Sequence, residues 1–137
     1  MNRTPIPLDQ WLPAGRVVAM RSAGQWWDAI RVPRHIGESV LTALGDTSGA
    51  VIEDTCGALL YWLVEPGAAA GWTFPAFSGV QVHGTAAHVA VPGPQRTAGP
   101  HWRIPPTARR CLTPADVLDD TLRAAVDAAL GPREQTR

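Results

Sequence analysis

Apolar and polar positions fall in blocks along this chain, and the blocks outline its elements. Arg16-Val-Val-Ala-Met20 and Gln25-Trp-Trp-Asp-Ala-Ile-Arg-Val32 are two β-prone runs separated by the small residues Ser22-Ala-Gly24. That spacing predicts a β-hairpin. Pro33 closes the second run. Ile36, Val40, Leu41 and Leu44 then recur at helical spacing, with Glu38 in the first turn and Gly45 as a stop signal, which predicts a short amphipathic helix. Ala50-Val-Ile-Glu53 reads as a short strand and Asp54 to Gly57 as a turn. Ala58-Leu-Leu-Tyr-Trp-Leu-Val64 is the most apolar run of the chain, bounded by Gly57 and by Pro66-Gly67, and reads as a central buried strand.

Beyond a loop from Pro66 to Pro75, Gly79-Val-Gln-Val-His83 and Ala87-His-Val-Ala-Val91 alternate apolar and polar positions around Gly84-Thr-Ala, which predicts a second hairpin. Pro92 to Pro106 is a proline-rich loop in which His101-Trp-Arg-Ile104 forms a short extended edge segment. The last helix has the clearest signals: Thr113 to cap, Pro114 at the first helical position, Asp116 at capping-box spacing, and Gly131-Pro132 to stop. Leu118, Leu122, Ala125, Val126 and Ala129 share one face of it, while Asp119, Asp120, Arg123 and Asp127 point away. The order of elements predicts an α+β fold. Its sheet is mostly antiparallel, with a short helix after the second strand and a C-terminal amphipathic helix packed on the sheet. A length of 137 residues suits one domain, placed at 16–131 after an irregular lead-in at 1–15 and before a disordered tail at 132–137. Trp11 and Leu12 of the lead-in are expected to dock on the domain.

Composition narrows the chemistry. All 12 basic residues are Arg and none is Lys, a bias typical of GC-rich coding sequences such as those of actinobacteria. Without Lys there is no Walker A phosphate loop and no Schiff-base enzyme. The formal net charge is zero, so bulk electrostatics do not point to nucleic acid or a membrane surface, and only a local Arg patch would serve. Cys56 and Cys111 belong to no CxxC motif and read as two buried free thiols, with a disulfide as the alternative. The first residues lack a charged-then-apolar signal pattern. No stretch approaches the roughly 20 apolar residues of a membrane span, so the expectation is a cytoplasmic protein with no membrane partner.

Three segments in succession carry a family likeness: Gln25 to Leu44, then Gly57-Ala-Leu-Leu-Tyr-Trp-Leu-Val-Glu-Pro-Gly67, then Gly79-Val-Gln-Val-His-Gly-Thr-Ala-Ala-His-Val-Ala-Val-Pro92. Over roughly residues 16 to 105 the chain resembles the second half of the bifunctional primase/polymerase domain of the archaeo-eukaryotic primase superfamily. In that family, one strand carries two aspartates with one residue between them and leads through a Pro-rich turn into a helix. A later strand carries a histidine, and a third has the form Gly-Val-Asp-Val-Arg-Gly. On this chain the first aspartate falls on Asp28, the second on Ile30, the histidine on Leu59, the third-strand aspartate on Gln81 and its arginine on His83. Two-metal polymerase chemistry needs several carboxylates, and the resemblance leaves one. It therefore implies an ancestral fold whose nucleotidyl-transfer centre is degenerate, with no catalytic residue, metal or cofactor expected.

Each remaining candidate has two readings. Asp28 is a residual nucleotide or metal ligand, or a polar residue on a half-buried strand. His83 and His88 flank a tight turn as a two-ligand site, or are solvated hairpin side chains. Cys111 beside Arg109 and Arg110 is an activated thiol, or a buried one without a base partner. Trp27 and Trp62 read as core, whereas Trp72 and Trp102, with Arg96 and Arg103 nearby, form the candidate binding surface. The proline-rich loop offers a docking segment for a partner protein instead. The leading expectation is a catalytically inactive module that binds a nucleic acid, a nucleotide or a protein partner. The alternatives are a metal-dependent enzyme with an altered site, using Asp28, Glu53 or Asp54 with His83 and His88, and an unrelated α+β interaction module.

Overall fold

The structure, a computed structural model, describes residues 7–130. The expected tail at 132–137 and the Gly131-Pro132 stop lie outside the described residues, as does the start of the lead-in. Seven strands run β1 (Val18–Ser22), β2 (Asp28–Pro33), β3 (Val51–Asp54), β4 (Leu59–Val64), β5 (Gln81–His83), β6 (His88–Pro92) and β7 (Pro100–Ile104). Helix α1 (Arg34–Leu44) follows β2, and α2 (Ala115–Leu130) comes last. All strand pairs are antiparallel. Five strands form the main sheet in the order β5-β2-β4-β3-β7, and β1 pairs with β6 in a separate two-stranded ribbon. The fold is α+β, with the apolar β4 at the centre of the sheet and the 101–104 segment, as β7, at its edge.

Side chains that alternate along the strands divide the core in two. Ile30, Val32, Val51, Leu60, Trp62 and Val64 face the helices and pack against Ile36, Val40 and Leu44 of α1 and Leu118, Leu122 and Val126 of α2. Ala29, Ile52, Leu63 and Trp102 face the other way, where Trp11, Trp27, Val89 and Val91 cover them. The sheet is thus the middle of three layers, with the helices on one side and the β1–β6 ribbon and lead-in on the other. Trp11 is buried and meets Trp27 and Trp102 edge to face at centroid distances of 5.7 and 6.2 Å. In α2 the apolar face is narrower than its spacing implies, because Ala129 is exposed. The hydroxyl of Thr113 accepts the Gly49 amide at 2.8 Å, tying the start of α2 to the approach to β3. Helix α1 begins at Arg34, so Glu38 lies past the first turn. Gly45 ends it with φ 53°, its amide bonded to Leu41 O.

Neither expected hairpin forms. β1 pairs with β6 rather than β2, and β5 pairs with β2 rather than β6. Segments 18–31 and 81–92 instead make one long antiparallel ribbon bent at its middle, one half lying in the main sheet and the other in the second layer. The register shows this: Ser22 faces His88 before the bend and Ala29 faces His83 after it. At the bend, the Ala23 amide bonds Ala87 O and the Gly24 amide bonds Trp27 O, each at 2.8 Å. Gly24 has φ +102°, and a Cβ there would lie 2.7 Å from Thr85 Oγ1, so the crossing needs glycine. Corners of this kind let a strand change sheets without ending its pairing.

Candidate functional site

The positions singled out by the family resemblance do not converge. Asp28 opens β2 on the helix-facing side of the sheet and is buried. Its Oδ2 accepts the Gly67 amide at 2.8 Å, and its Oδ1 has no protein partner among the described residues. Asp28 therefore anchors the loop that follows β4. Ile30, on the same face, is wholly buried in the core between the sheet and the helices. Leu59 pairs with Pro33 at the far end of β2 while Asp28 pairs with Val64, a separation of roughly 17 Å at about 3.4 Å per residue. Gln81 and His83 pair with Arg31 and Ala29, so their side chains project from the opposite face to Asp28. A centre that holds a nucleotide between these positions has no geometric basis here.

The altered metal site fares no better. Glu53 and Asp54 stand on β3, three strand positions from His83 on β5, or roughly 14 Å away at about 4.8 Å per strand. His88 lies in the outer ribbon, 3.2 Å from Ser22 Oγ. Among the described residues no group of three or more His, Cys, Asp or Glu is placed to hold a metal ion.

The expected binding surface is also dispersed. Trp102 belongs to the core, where its Nε1 donates to Pro92 O at 2.7 Å and its ring packs on Trp11. An edge strand whose outward-looking residue meets a second layer buries that residue, and no local signal in the proline-rich loop announced the layer. Trp72 packs edge to face with Phe74 beside the helix-side core. Arg96 staples its own loop by donating to Ala98 O and Arg16 O. Arg103 is bidentate on Glu38 at 2.8 and 2.9 Å and also reaches Glu53 at 3.2 Å. Glu53 is nearly buried and has Arg34 at 3.5 Å and His101 at 3.6 Å as well. This network binds β7 to β3 and to α1, and its charges are spent on one another. The guanidinium of Arg103 holds the Glu38 carboxyl below its usual range. The cysteines are both free; Cys111 is buried and Cys56 exposed, which corrects the expectation of two buried thiols. Burial pushes the Cys111 thiol up to about 12, so it is not activated despite its Arg neighbours.

What the structure does assemble is a patch on the side of the sheet away from the helices. Arg31 stands opposite both Tyr61 and Gln81, and His83 is opposite Ala29, so these side chains share one face of β5, β2 and β4. Tyr61 and His83 meet edge to face with ring centroids 6.1 Å apart. Arg31 Nη1 donates to Gln81 Oε1 at 3.3 Å, while Arg31 Nε and His83 Nε2 are themselves buried and have no protein partner among the described residues. Gln81 is exposed and the other three are partly exposed. No family model, curated protein or solved structure matches the chain. The reading of this patch therefore stands on its chemistry. Burial, followed by the Arg31 charge, pushes the His83 imidazole below its ordinary value, so near neutrality it is an uncharged ring. Burial likewise raises the Tyr61 phenol, which Arg31 lowers and Asp54 raises further. Two neutral rings, one cation and one amide make a surface that stacks a planar group and pairs with one anion. Sequence reasoning picked out Gln81 and His83 for another role and passed over Arg31 and Tyr61. The available signal was that each is a polar group amid the apolar residues of a central strand.

Proposed function

We propose that this chain is a non-catalytic binding module that takes a base and its adjoining phosphate from a single-stranded nucleic acid on the Arg31–Tyr61–Gln81–His83 face. The observation that carries this reading is the edge-to-face pair of Tyr61 and His83 beside an arginine on a partly exposed part of a sheet. Aromatic side chains on a sheet face are a general platform for unstacked bases, and a neighbouring guanidinium supplies the phosphate contact. The class of ligand rests on these four side chains alone, since the positions that the primase/polymerase resemblance selects lie far apart or on opposite faces of the sheet. The proposal that the module is non-catalytic rests on residue chemistry: Ile30, Leu59 and Gln81 offer no anionic metal ligand, which leaves Asp28, one oxygen of which accepts the Gly67 amide, as the single carboxylate among these positions.

The test is fluorescence anisotropy with a short labelled single-stranded oligonucleotide, beside a primer-extension assay in Mg²⁺ or Mn²⁺. Binding should saturate and weaken about tenfold in Tyr61→Ala and in Arg31→Ala. Extension should be absent. Nucleotide incorporation abolished by Asp28→Ala would establish an enzyme instead, and no binding to the oligonucleotide would leave a protein-interaction module.

A further inference from the structure

A second polar concavity lies apart from that face, between the turn that follows α1 and the loop that precedes α2. It is a cleft of about 240 Å³ with Arg109, Arg110, Thr47 and Asp46 around it and the buried Ser48 and Cys111 in its lining. Arg110 is aimed by its own hydrogen bond: Nε donates to Ser48 O at 2.8 Å, which leaves both terminal nitrogens free. Arg109 has no partner among the described residues. The loop itself is held closed, since Thr107 N donates to Arg110 O at 3.1 Å and Arg110 N donates to Thr107 Oγ1 at 2.9 Å. Along the same loop the amides of Ala108, Arg109, Cys111 and Leu112 make no hydrogen bond within the described residues.

Two adjacent guanidinium groups in the lining, one of them oriented, are the donor set for a tetrahedral oxyanion, and the loop that carries them has amides without described acceptors. Asp46 is the single carboxylate in the lining and opposes that charge, so the two arginines leave the cleft one positive charge in excess. Among the other described arginines, Arg103, Arg34 and Arg123 are engaged by carboxylates, Arg21 and Arg96 by backbone carbonyls and Arg31 by Gln81, whereas Arg16 lies outside any cleft of this kind. We propose that this cleft is a second ligand site, for a phosphate group, either free or at the end of a small phosphate ester. The high thiol pKa of Cys111 leaves that residue a wall rather than a reactant.

The experiment is a titration of the ¹⁵N-labelled full chain followed by amide chemical shifts, with inorganic phosphate, a nucleoside monophosphate and acetate as separate probes. Phosphate should produce saturable shifts confined to Asp46–Gly49 and Ala108–Leu112. Arg109→Ala, which removes no described contact, should weaken binding about tenfold, and Asp46→Asn should tighten it several-fold. Tighter binding of the monophosphate than of phosphate would identify an ester as the source, and equal binding the free ion. The proposal fails if neither phosphate probe gives saturable shifts at millimolar concentration. It also fails if Arg109→Ala binds as the wild type does, or if acetate binds as tightly as phosphate. Arg110→Lys serves as the partner variant: it keeps the charge but loses the bond to Ser48 O, and weakening there with unchanged stability shows that orientation matters.

Discussion

At the scale of single residues, burial separates groups that look alike in sequence. Cys56 and Cys111 carry the same thiol, but the first is exposed and the second is held at about 12 by its apolar surroundings. A thiol-specific reagent at neutral pH should therefore modify one cysteine in the native protein and two in denaturant; rapid modification of both in the native state would show that the 108–112 loop opens readily. Tyr61 is the one tyrosine of the chain, so absorbance at alkaline pH reports on it alone. Its midpoint should lie above 10.0 in the folded protein and return to about 10 on unfolding. The sign of the linkage follows. Both Tyr61 and Cys111 have folded pKa values raised above their unfolded ones, so their contribution is complete below about pH 9 and is lost as pH rises through the folded values, which for Cys111 is about 12. Denaturant midpoints measured from pH 8 to 11 should fall, and Cys111→Ala should flatten that decline.

At the scale of elements, short-range pattern and long-range pairing part company. Helix α1 was readable because Ile36, Val40 and Leu44 mark one face and Gly45 stops it. β4 was readable because no other run is so apolar. The partners of β1 and β5 were not readable, because a small-residue link such as Ser22-Ala-Gly24 suits a tight hairpin and a corner equally well. What decides is the ribbon partner some 60 residues away: Thr85 lies against Gly24, and Ala87 O takes the Ala23 amide. The same distance hid the Glu53 network, whose members come from α1, β3 and β7. The corner makes a sharp prediction. Gly24→Ala puts a side chain at φ +102° and against the Thr85 backbone at 2.9 Å, and should cost at least about 2 kcal/mol from strain and overpacking together. Gly71→Ala, at an exposed position with nothing within 4 Å, should stay within about 0.5 kcal/mol. Urea midpoints of the two variants compare them directly. A Gly24→Ala protein as stable as the wild type would mean that the two halves of the ribbon are not joined through this crossing.

At the scale of the whole molecule, the zero net charge and the pairing of most described arginines constrain how any nucleic acid is held. A basic groove neutralising several phosphates loses affinity steeply with salt, because each contact releases counterions. On the Tyr61 face a single guanidinium, Arg31, is available, so most of the affinity must come from stacking on the rings, which salt does not screen. With one phosphate neutralised, the logarithm of the affinity for single strands should fall against the logarithm of salt with a slope of about −0.7, or about two- to threefold between 50 and 200 mM. The magnitude discriminates between surfaces. A slope steeper than about −3 requires four or more cationic contacts, more than this face presents, and would move the interface elsewhere on the molecule. Arg31→Ala should flatten the slope toward zero, whereas Tyr61→Ala should lower affinity at every salt concentration and leave the slope as it was. Binding isotherms of the two variants at three salt concentrations thus separate the ionic contribution from the stacking one.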